Sequence, residues 1–201
     1  MLDIAWEKAN EAFEIEADAV LQARAKIDRL QFGRAVDVLS RAQRIGVSGC
    51  GHSGIACMHF AHSLCCIERP ARFLSPAEAV HGATGFLQQG DVMLLASRGG
   101  KTSELLPILS ICKQKKVTLI GITENRQSPL ALETDIALFM HVTRETDRYN
   151  MQGTTSFVVL SAIFDALQTA LVEETHYQSE QFALVHPGGA VGERLNDGKS
   201  L

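Results

Sequence analysis

The sequence lacks the features that mark secreted, metal-binding and nucleic-acid-binding proteins. Its five cysteines form no CxxC pair, and the adjacent Cys65-Cys66 suits neither a simple disulfide nor a zinc site, so we expect reduced, mostly buried thiols in a cytoplasmic protein. The net charge is −4 and the basic residues are scattered, whereas binding to nucleic acid requires a concentrated basic face. The histidines and cysteines form no convincing metal-binding set either.

A signal peptide and long apolar runs are also missing. Residues 1–18 are acidic and have neither a basic start nor an apolar core. No apolar run approaches the roughly 20 residues that span a bilayer, so we expect no membrane partner. The length of 201 residues suits one α/β domain with a full core, and the apolar fraction of 46% is ordinary for a globular protein.

Short apolar runs alternate with helical segments after residue 43. The apolar runs lie at 45–48, 72–74, 92–97, 117–123 and 136–142, and the helical segments lie near 53–66, 77–82, 102–115, 128–133 and 154–173. Near-continuous apolar strands that alternate with helices predict a parallel sheet covered by helices on both faces. In such sheets a ligand binds at the carboxyl ends of the strands.

The segment before the first strand is predicted to be helical. Residues 3–43 carry apolar side chains at helical intervals, with charges between them. Gly33 is expected to divide this segment into a long amphipathic helix and a second one. Because so long an apolar face needs a partner, we predict that residues 1–43 contribute to a subunit interface, while residues 44–201 form the ligand-binding part of a single domain. Packing of that face on its own domain is the alternative.

Three turns are rich in glycine and hydroxyl groups. The first is GCGHSG at 49–54, where Ser53 can cap a helix and bind a phosphate. The second is SRGGKTSE at 97–104, where Thr102 resembles an N-terminal cap. The third is GTTS at 153–156. Each turn alone is consistent with a plain turn or a capped helix, but the first two together can surround one phosphate from two sides.

Taken together, these segments resemble the sugar isomerase (SIS) domain of D-arabinose-5-phosphate isomerases, over residues 40–195. The matching pieces are GCGHSG, SPAEAVHG, SRGGKTSE, GTTS and FALVHPGGAVG. The resemblance implies a three-layer αβα sandwich of the flavodoxin/Rossmann-like type with a five-stranded parallel sheet. It also implies a homotetramer without a cofactor. Many members continue into a pair of CBS domains, and this chain, which stops at Leu201, resembles the short form without them.

The resemblance implies roles for individual residues. The positions that hold the sugar phosphate are matched by Ser53, Ser97, Thr102, Thr154 and Thr155. The acidic active-site residues are matched by Glu104 and Glu145, and the active-site histidines by His81 and His186. His186 is expected to be donated across a subunit interface. His52 stands where most members have lysine, so the site keeps a titratable donor but loses a guaranteed positive charge.

The second turn departs from the family's S-N-S-G-E pattern. Arg98, Gly99 and Lys101 stand in place of the asparagine, the second serine and the glutamate. We hypothesise that Arg98 or Lys101 supplies the charge that His52 cannot. Ala83 stands in place of an aspartate, and we have no explanation for this change.

The reaction that the resemblance implies is the interconversion of D-ribulose 5-phosphate and D-arabinose 5-phosphate through a cis-enediol, which feeds the synthesis of Kdo, a sugar of bacterial lipopolysaccharide and some capsules. Glu145 is the first candidate for the base. His186 or His81 would assist ring opening or proton transfer to the oxygens, and Glu104 would orient a hydroxyl or share the base role. Two alternatives stay open: a non-catalytic regulator that binds a sugar phosphate, and an isomerase of another phosphosugar.

Overall fold

The computed structural model describes residues 2–196 and has a five-stranded sheet at its centre. The strands are β1 (Ile45–Gly49), β2 (Ala71–Phe73), β3 (Val92–Ala96), β4 (Thr118–Thr123) and β5 (Ile136–Phe139). The helices are α1 (Leu2–Lys26), α2 (Arg29–Arg41), α3 (Gly51–Cys66), α4 (Pro76–Ala79), α5 (Leu106–Gln114), α6 (Pro129–Glu133), α7 (Thr155–Glu174), α8 (Ser179–Val185) and α9 (Gly189–Asn196), with a 3-10 helix at Ala83–Phe86. The strand order is β2-β1-β3-β4-β5 and every neighbouring pair is parallel, which confirms the predicted α/β sandwich.

The apolar strands form the middle layer because each of their two faces is covered by a separate core. All five residues of β3 are buried, and successive side chains point to opposite faces of the sheet. Val92 and Leu94 join the core that lies under α1, α2, α3 and α7. Met93 and Leu95 join the core on the other face, with residues of α4 and α5. This burial on both sides explains why the strand has no polar alternation.

The two N-terminal helices meet at residues 27–28 and not at Gly33. The side chain of Asp28 caps α2 by accepting a hydrogen bond from the N–H of Gln31 at 2.9 Å. Gly33 lies inside α2, where nothing crowds it. The predicted boundary is wrong because a capping aspartate specifies a helix start more strongly than an isolated glycine specifies a break.

Three further helices differ in their bounds from the sequence analysis. The helix predicted at 102–115 begins at Leu106, and the one predicted at 77–82 is the four-residue α4. At the first turn, α3 begins at Gly51 with Cys50 as its N-cap, so Ser53 lies within the helix and does not cap it. Because α5 begins at Leu106, Thr102 belongs to the turn before that helix, where its hydroxyl can form hydrogen bonds within the turn.

α7 is the longest buried helix and, by length and composition alone, is apolar enough to cross a membrane. This differs from the expectation that no apolar run approaches that length. Seven of its residues are buried, and the helix packs against α1, α2 and α3. Within that packing, the ring of Phe164 stacks on Phe60 with centroids 4.3 Å apart. A core helix of a globular protein passes the same test, and these contacts are those of a core helix.

All five cysteines are free, but only Cys57 and Cys112 are buried. Cys50 and Cys66 are half-buried and Cys65 is exposed, so the expectation of mostly buried thiols is right for two of the five. Burial raises the pKa of the Cys112 thiol to about 11 and raises that of Cys57 further, which keeps both thiols protonated at neutral pH.

Two glycine substitutions test the packing of this fold. A Cβ at Gly54 would lie 2.6 Å from the carbonyl oxygen of Gly49, where α3 crosses the end of β1. We expect Gly54→Ala to lower stability by about 1–3 kcal/mol, because neither backbone can move freely. At Gly33, by contrast, a Cβ meets nothing within 4 Å, and Gly33→Ala should raise stability by about 0.5–1 kcal/mol. Thermal unfolding measures both, and equal midpoints for the two variants would contradict the packing described here.

Candidate active site

The first two turns leave the sheet side by side because their strands are neighbours. β1 pairs with β3 in parallel, and Gly49 lies opposite Ala96 at the last position of both strands. Residues 50–54 and 97–104 therefore start from the same carboxyl edge of the sheet. This is the edge at which parallel sheets bind their ligands.

The second turn is closed by its own hydroxyl groups. The Oγ of Ser97 lies 2.8 Å from the Oγ1 of Thr102 and accepts a hydrogen bond from the N–H of Gly100 at 3.1 Å. Gly100 has a φ of +67°, and a Cβ there would collide with the side chain of Ser128, so only glycine fits. Ser97 and Thr102 thus hold the turn in a fixed shape next to the first turn.

The third turn, before α7, meets the first one through His52. A Cβ added at Gly153 would lie 2.9 Å from the Nδ1 of His52, so the imidazole packs directly over this glycine. Thr154 is half-buried, and its Oγ1 accepts hydrogen bonds from the N–H of Thr146 at 3.0 Å and the hydroxyl of Thr146 at 2.9 Å. Thr155 is fully buried, and its hydroxyl has no partner among the described residues. The phosphate-binding role of Thr155 stays a prediction, and its burial argues against it.

Glu145 is buried between the second and third turns, with a relative exposure of 2%. Its Oε1 accepts a hydrogen bond from Nη1 of Arg98 at 2.6 Å, in an ion pair. Its Oε2 accepts from the N–H of Ser156 at 3.0 Å and from the hydroxyl of Thr154 at 3.3 Å. Because both oxygens are occupied in this way, the contacts favour an organising role for Glu145 over the predicted role of base.

The guanidinium of Arg98 is bound by groups that lie outside the first turn. Besides its contact with Glu145, Nε donates to Oε2 of Glu124 at 2.8 Å and Nη2 donates to the carbonyl oxygen of Val142 at 3.2 Å. This geometry argues against the hypothesis that Arg98 supplies the positive charge for a phosphate. The other cation of the turn, Lys101, is exposed and has no ion pair or hydrogen bond within residues 2–196.

Glu104 is the accessible carboxylate of the second turn. The hydroxyl of Ser103 donates to its Oε2 at 2.8 Å, and this hydrogen bond holds the pKa of Glu104 below its usual value. Burial raises the pKa of the Cys50 thiol, and the nearby charge of Glu104 raises it further. The carboxylate of Glu104 therefore lies close to the first turn and is ionised at neutral pH.

The two other predicted histidines lie outside the three turns in the sequence. His81 is exposed on the turn that follows α4. His186 ends α8, with its ring stacked on Phe182 at a centroid distance of 4.3 Å. α8 is tethered by a 2.7 Å hydrogen bond from Gln181 to Glu68, which follows the carboxyl end of α3. Since α3 has 16 residues and spans about 24 Å, this tether lies far from the first turn, where α3 begins.

Sequence reasoning missed Glu124 and Thr146. Glu124 follows β4 directly and contacts Arg98, so an acidic residue after a buried strand was the available signal. Thr146 holds Thr154 through two hydrogen bonds, and nothing in its local sequence indicates that contact.

A cavity of about 640 Å³ lies elsewhere, beside α2. It is lined by residues that include Arg29, Asp37, Thr118 and Ile136. Thr118 and Ile136 begin β4 and β5, so this cavity opens at the amino edge of the sheet, opposite the three turns. We therefore place the candidate site at the turns. Among residues 2–196, no group of three or more His, Cys, Asp or Glu side chains is arranged to hold a metal ion.

Comparisons with known proteins identify the family to which the chain is similar. The family described as "SIS domain" matches residues 38–170. The chain is 37% identical to "Arabinose 5-phosphate isomerase KdsD" of Pseudomonas aeruginosa over 188 residues, which cover 93% of this chain and 57% of that protein. The chain thus spans a little over half the length of this curated relative.

Two solved structures share the fold over nearly the whole length of their chains. A putative sugar-phosphate isomerase from Listeria monocytogenes has a TM-score of 0.89 and 39% identity, with 92% of this chain and 97% of that chain covered. A protein of Escherichia coli CFT073, solved in complex with A5P, has a TM-score of 0.83 and 29% identity, with 92% and 98% covered.

The contact between His52 and Gly153 gives a test of the site. We expect Gly153→Ala to displace the imidazole of His52 and to weaken the binding of inorganic phosphate by about three- to tenfold. This is the loss of affinity expected when one hydrogen bond to the anion is removed. Gly33→Ala is the control, because a Cβ at Gly33 meets nothing within 4 Å and Gly33 lies in α2, outside the three turns. Isothermal titration calorimetry measures both affinities. Equal affinity in Gly153→Ala and the unmodified protein would show that His52 does not contact the anion.

Proposed function

Because the chain belongs to the SIS domain family, we propose that it is an aldose–ketose isomerase that interconverts D-ribulose 5-phosphate and D-arabinose 5-phosphate. The observation that carries the proposal is the meeting of three hydroxyl-rich turns at one edge of the sheet, next to the exposed carboxylate of Glu104. The name of the Pseudomonas relative and the A5P complex of the Escherichia coli structure support this substrate.

The phosphate of the substrate would bind between the first two turns. α3 begins at the first turn and α7 at the neighbouring third turn, and the amino ends of helices favour an anion through their free N–H groups and dipoles. The hydroxyl of Ser53 would donate a further hydrogen bond, as would either Ser97 or Thr102, since one of these two hydroxyls already donates to the other. Lys101 would supply the positive charge, assisted by His52, because Arg98 is paired with carboxylates. Binding energy from the phosphate then positions the carbonyl carbons for reaction.

The chemical step moves one proton between C1 and C2. A base removes a proton from C1 of the ketose while O2 gains a proton, which forms the cis-enediol. The same base returns the proton to C2 as O1 loses its proton, which leaves the aldehyde at C1. Of the two glutamates, we assign the base role to Glu104, because it is exposed and ionised, and we assign Glu145 to holding the turns.

A histidine would serve the oxygens and the opening of the sugar ring. The tether of α8 lies far from the chain's own first turn, and this position fits donation of His186 to the site of a neighbouring subunit. His81 is the alternative within the same chain. Which of the two histidines performs which step stays a prediction.

α1 supports assembly into a homotetramer. Its first half is exposed and carries large apolar side chains at Leu2, Ile4, Trp6 and Phe13, with relative exposures of 65% or more. Apolar side chains in such a group favour burial against another chain. We propose that residues 1–43 form part of the subunit interface, in a cytoplasmic enzyme whose product enters Kdo synthesis.

A purified sample tests the reaction directly. We expect the protein to convert D-arabinose 5-phosphate to D-ribulose 5-phosphate in the presence of EDTA, because proton transfer through an enediol needs only the side chains described. Ketose formation, followed colorimetrically, is the measurement. Folded protein that binds the sugar phosphate without turnover would favour the non-catalytic regulator, and turnover of a different phosphosugar would favour the other alternative.

The variant Glu104→Gln separates an enzyme from a sensor. In an enzyme it should abolish most turnover and leave the binding of the sugar phosphate nearly unchanged, since the amide keeps the size of the side chain but cannot accept the proton. Calorimetry with the sugar phosphate supplies the binding control for the same sample.

The pH dependence of kcat/KM identifies the base. Glu104 must be ionised to accept a proton, and its lowered pKa keeps it ionised into acid solution. We therefore expect the acid limb of the profile below pH 4.5, the usual value for the group. An acid limb at about pH 6.5 would assign the base to a histidine instead. As a control, samples exposed to acid are assayed again at pH 7, which excludes unfolding as the cause of lost activity.

A further inference from the structure

Arg98 joins three separate parts of the site through its three nitrogen atoms. Nη1 binds Glu145 at 2.6 Å, Nε binds Glu124 at 2.8 Å, and Nη2 binds the carbonyl oxygen of Val142 at 3.2 Å. These partners follow β4 and β5, whereas Arg98 follows β3. One guanidinium thus connects the carboxyl ends of three neighbouring strands.

Glu145 depends on this arginine because its side chain is only 3% exposed. An isolated buried carboxylate is strongly disfavoured unless a cation and hydrogen-bond donors compensate for the lost water. Arg98 provides the cation, and the N–H of Ser156 at the start of α7 provides a donor. The pair therefore holds the segment before α7 against the end of β3.

Glu124 fixes the other side of the guanidinium. Its Oε1 accepts from the N–H of Val142 at 2.8 Å, while its Oε2 accepts from Arg98. The ring of His141 lies close as well, with Nδ1 3.7 Å from Oε1 of Glu124. With two carboxylates and a carbonyl around it, the planar fork of Arg98 has its direction set, which the single ammonium of a lysine cannot reproduce.

We propose that Arg98 is a positioning residue, which acts with Glu124 to hold Glu145 at the amino end of α7 and so sets where Gly153 and the imidazole of His52 lie. Arg98 is thereby excluded as a ligand of the substrate phosphate. This inference deepens the proposed isomerase function and rests on it for its catalytic readout. Its structural part, the coupling of Arg98 to Glu145, stands independently of the reaction.

Variants at Arg98 and Glu124 test the inference through kcat/KM. We expect Arg98→Gln to lower kcat/KM by about tenfold or more, because small displacements of a positioned group carry costs of that order. Arg98→Lys should be impaired nearly as much, since it keeps the charge but not the fork. If Arg98 acted as a charge on the phosphate, Arg98→Lys would restore most of the activity, and the inference would fail.

The double variant and a control complete the experiment. Arg98→Gln with Glu124→Gln should lose little more kcat/KM than the worse single variant, because the two residues act as one unit, whereas multiplied losses would overturn the inference. Arg126→Gln is the matched control. Arg126 also follows β4, but its guanidinium lies over the ring of Phe139 at 4.0 Å, so its removal should leave kcat/KM unchanged.

Thermal unfolding separates failure of this inference from failure of the proposed reaction. We expect the midpoint loss for Arg98→Gln with Glu145→Gln to be clearly smaller than the sum of the two single losses, since each single variant leaves the other group unpaired. Additive losses would overturn the coupling. This cycle requires no turnover, so it decides the structural claim even if the purified protein isomerises no pentose phosphate.

Discussion

Parallel pairing of β1 with β3 is the constraint from which the site follows. The two strands end opposite each other, so the glycine-rich turn before α3 and the hydroxyl-rich turn after β3 leave the sheet together. A crossover between parallel strands needs a helix on the face of the sheet, and that helix begins at the same edge. The amino end of α3 is therefore placed where an anion is stabilised, before any side chain is considered.

A partly buried polar network holds the remaining turn against this pair. The side chain of Glu145 is 3% exposed and that of Arg98 is 35% exposed, and so deeply buried a carboxylate is stable only if its hydrogen bonds are nearly all satisfied. The contacts with Glu124, Ser156 and the backbone at Val142 meet that requirement. Such a network favours one arrangement of the turns, and this is how a rigid sheet can position groups on three separate loops.

The chemically available groups lie outside this network. Glu104, Lys101 and His52 are exposed, whereas Glu145 and Arg98 are committed to one another. This division between groups that organise and groups that are accessible is the basis for assigning base and phosphate contacts to the exposed side chains. The chain's own His186 lies elsewhere, and α1 presents an exposed apolar face, and these two observations are the basis for proposing a subunit interface.

Much of the fold could be predicted from local sequence. Five apolar runs that alternate with helical segments predict a parallel sheet with helices on both faces, because the burial of both faces removes the polar alternation from the strands. The positions of the glycine-rich turns could be predicted as well, since glycine and hydroxyl residues between a strand and a helix are a local signal for a turn. Helix ends were less well predicted: the cap at Asp28, and not Gly33, divides α1 from α2.

By itself the sequence determined the order of elements, the edge of the sheet that carries the candidate site and the residue types available there. Only the tertiary structure decided which side chains meet. Arg98 lies 26 residues from Glu124 and 47 from Glu145, and the packing of His52 over Gly153 joins two turns that are distant in the chain. The physical reason is that the direction of a side chain depends on the path of the backbone and on every charge that competes for it. Hence Arg98, one of the two cations that the resemblance suggested for a phosphate, is bound instead by two carboxylates that follow other strands.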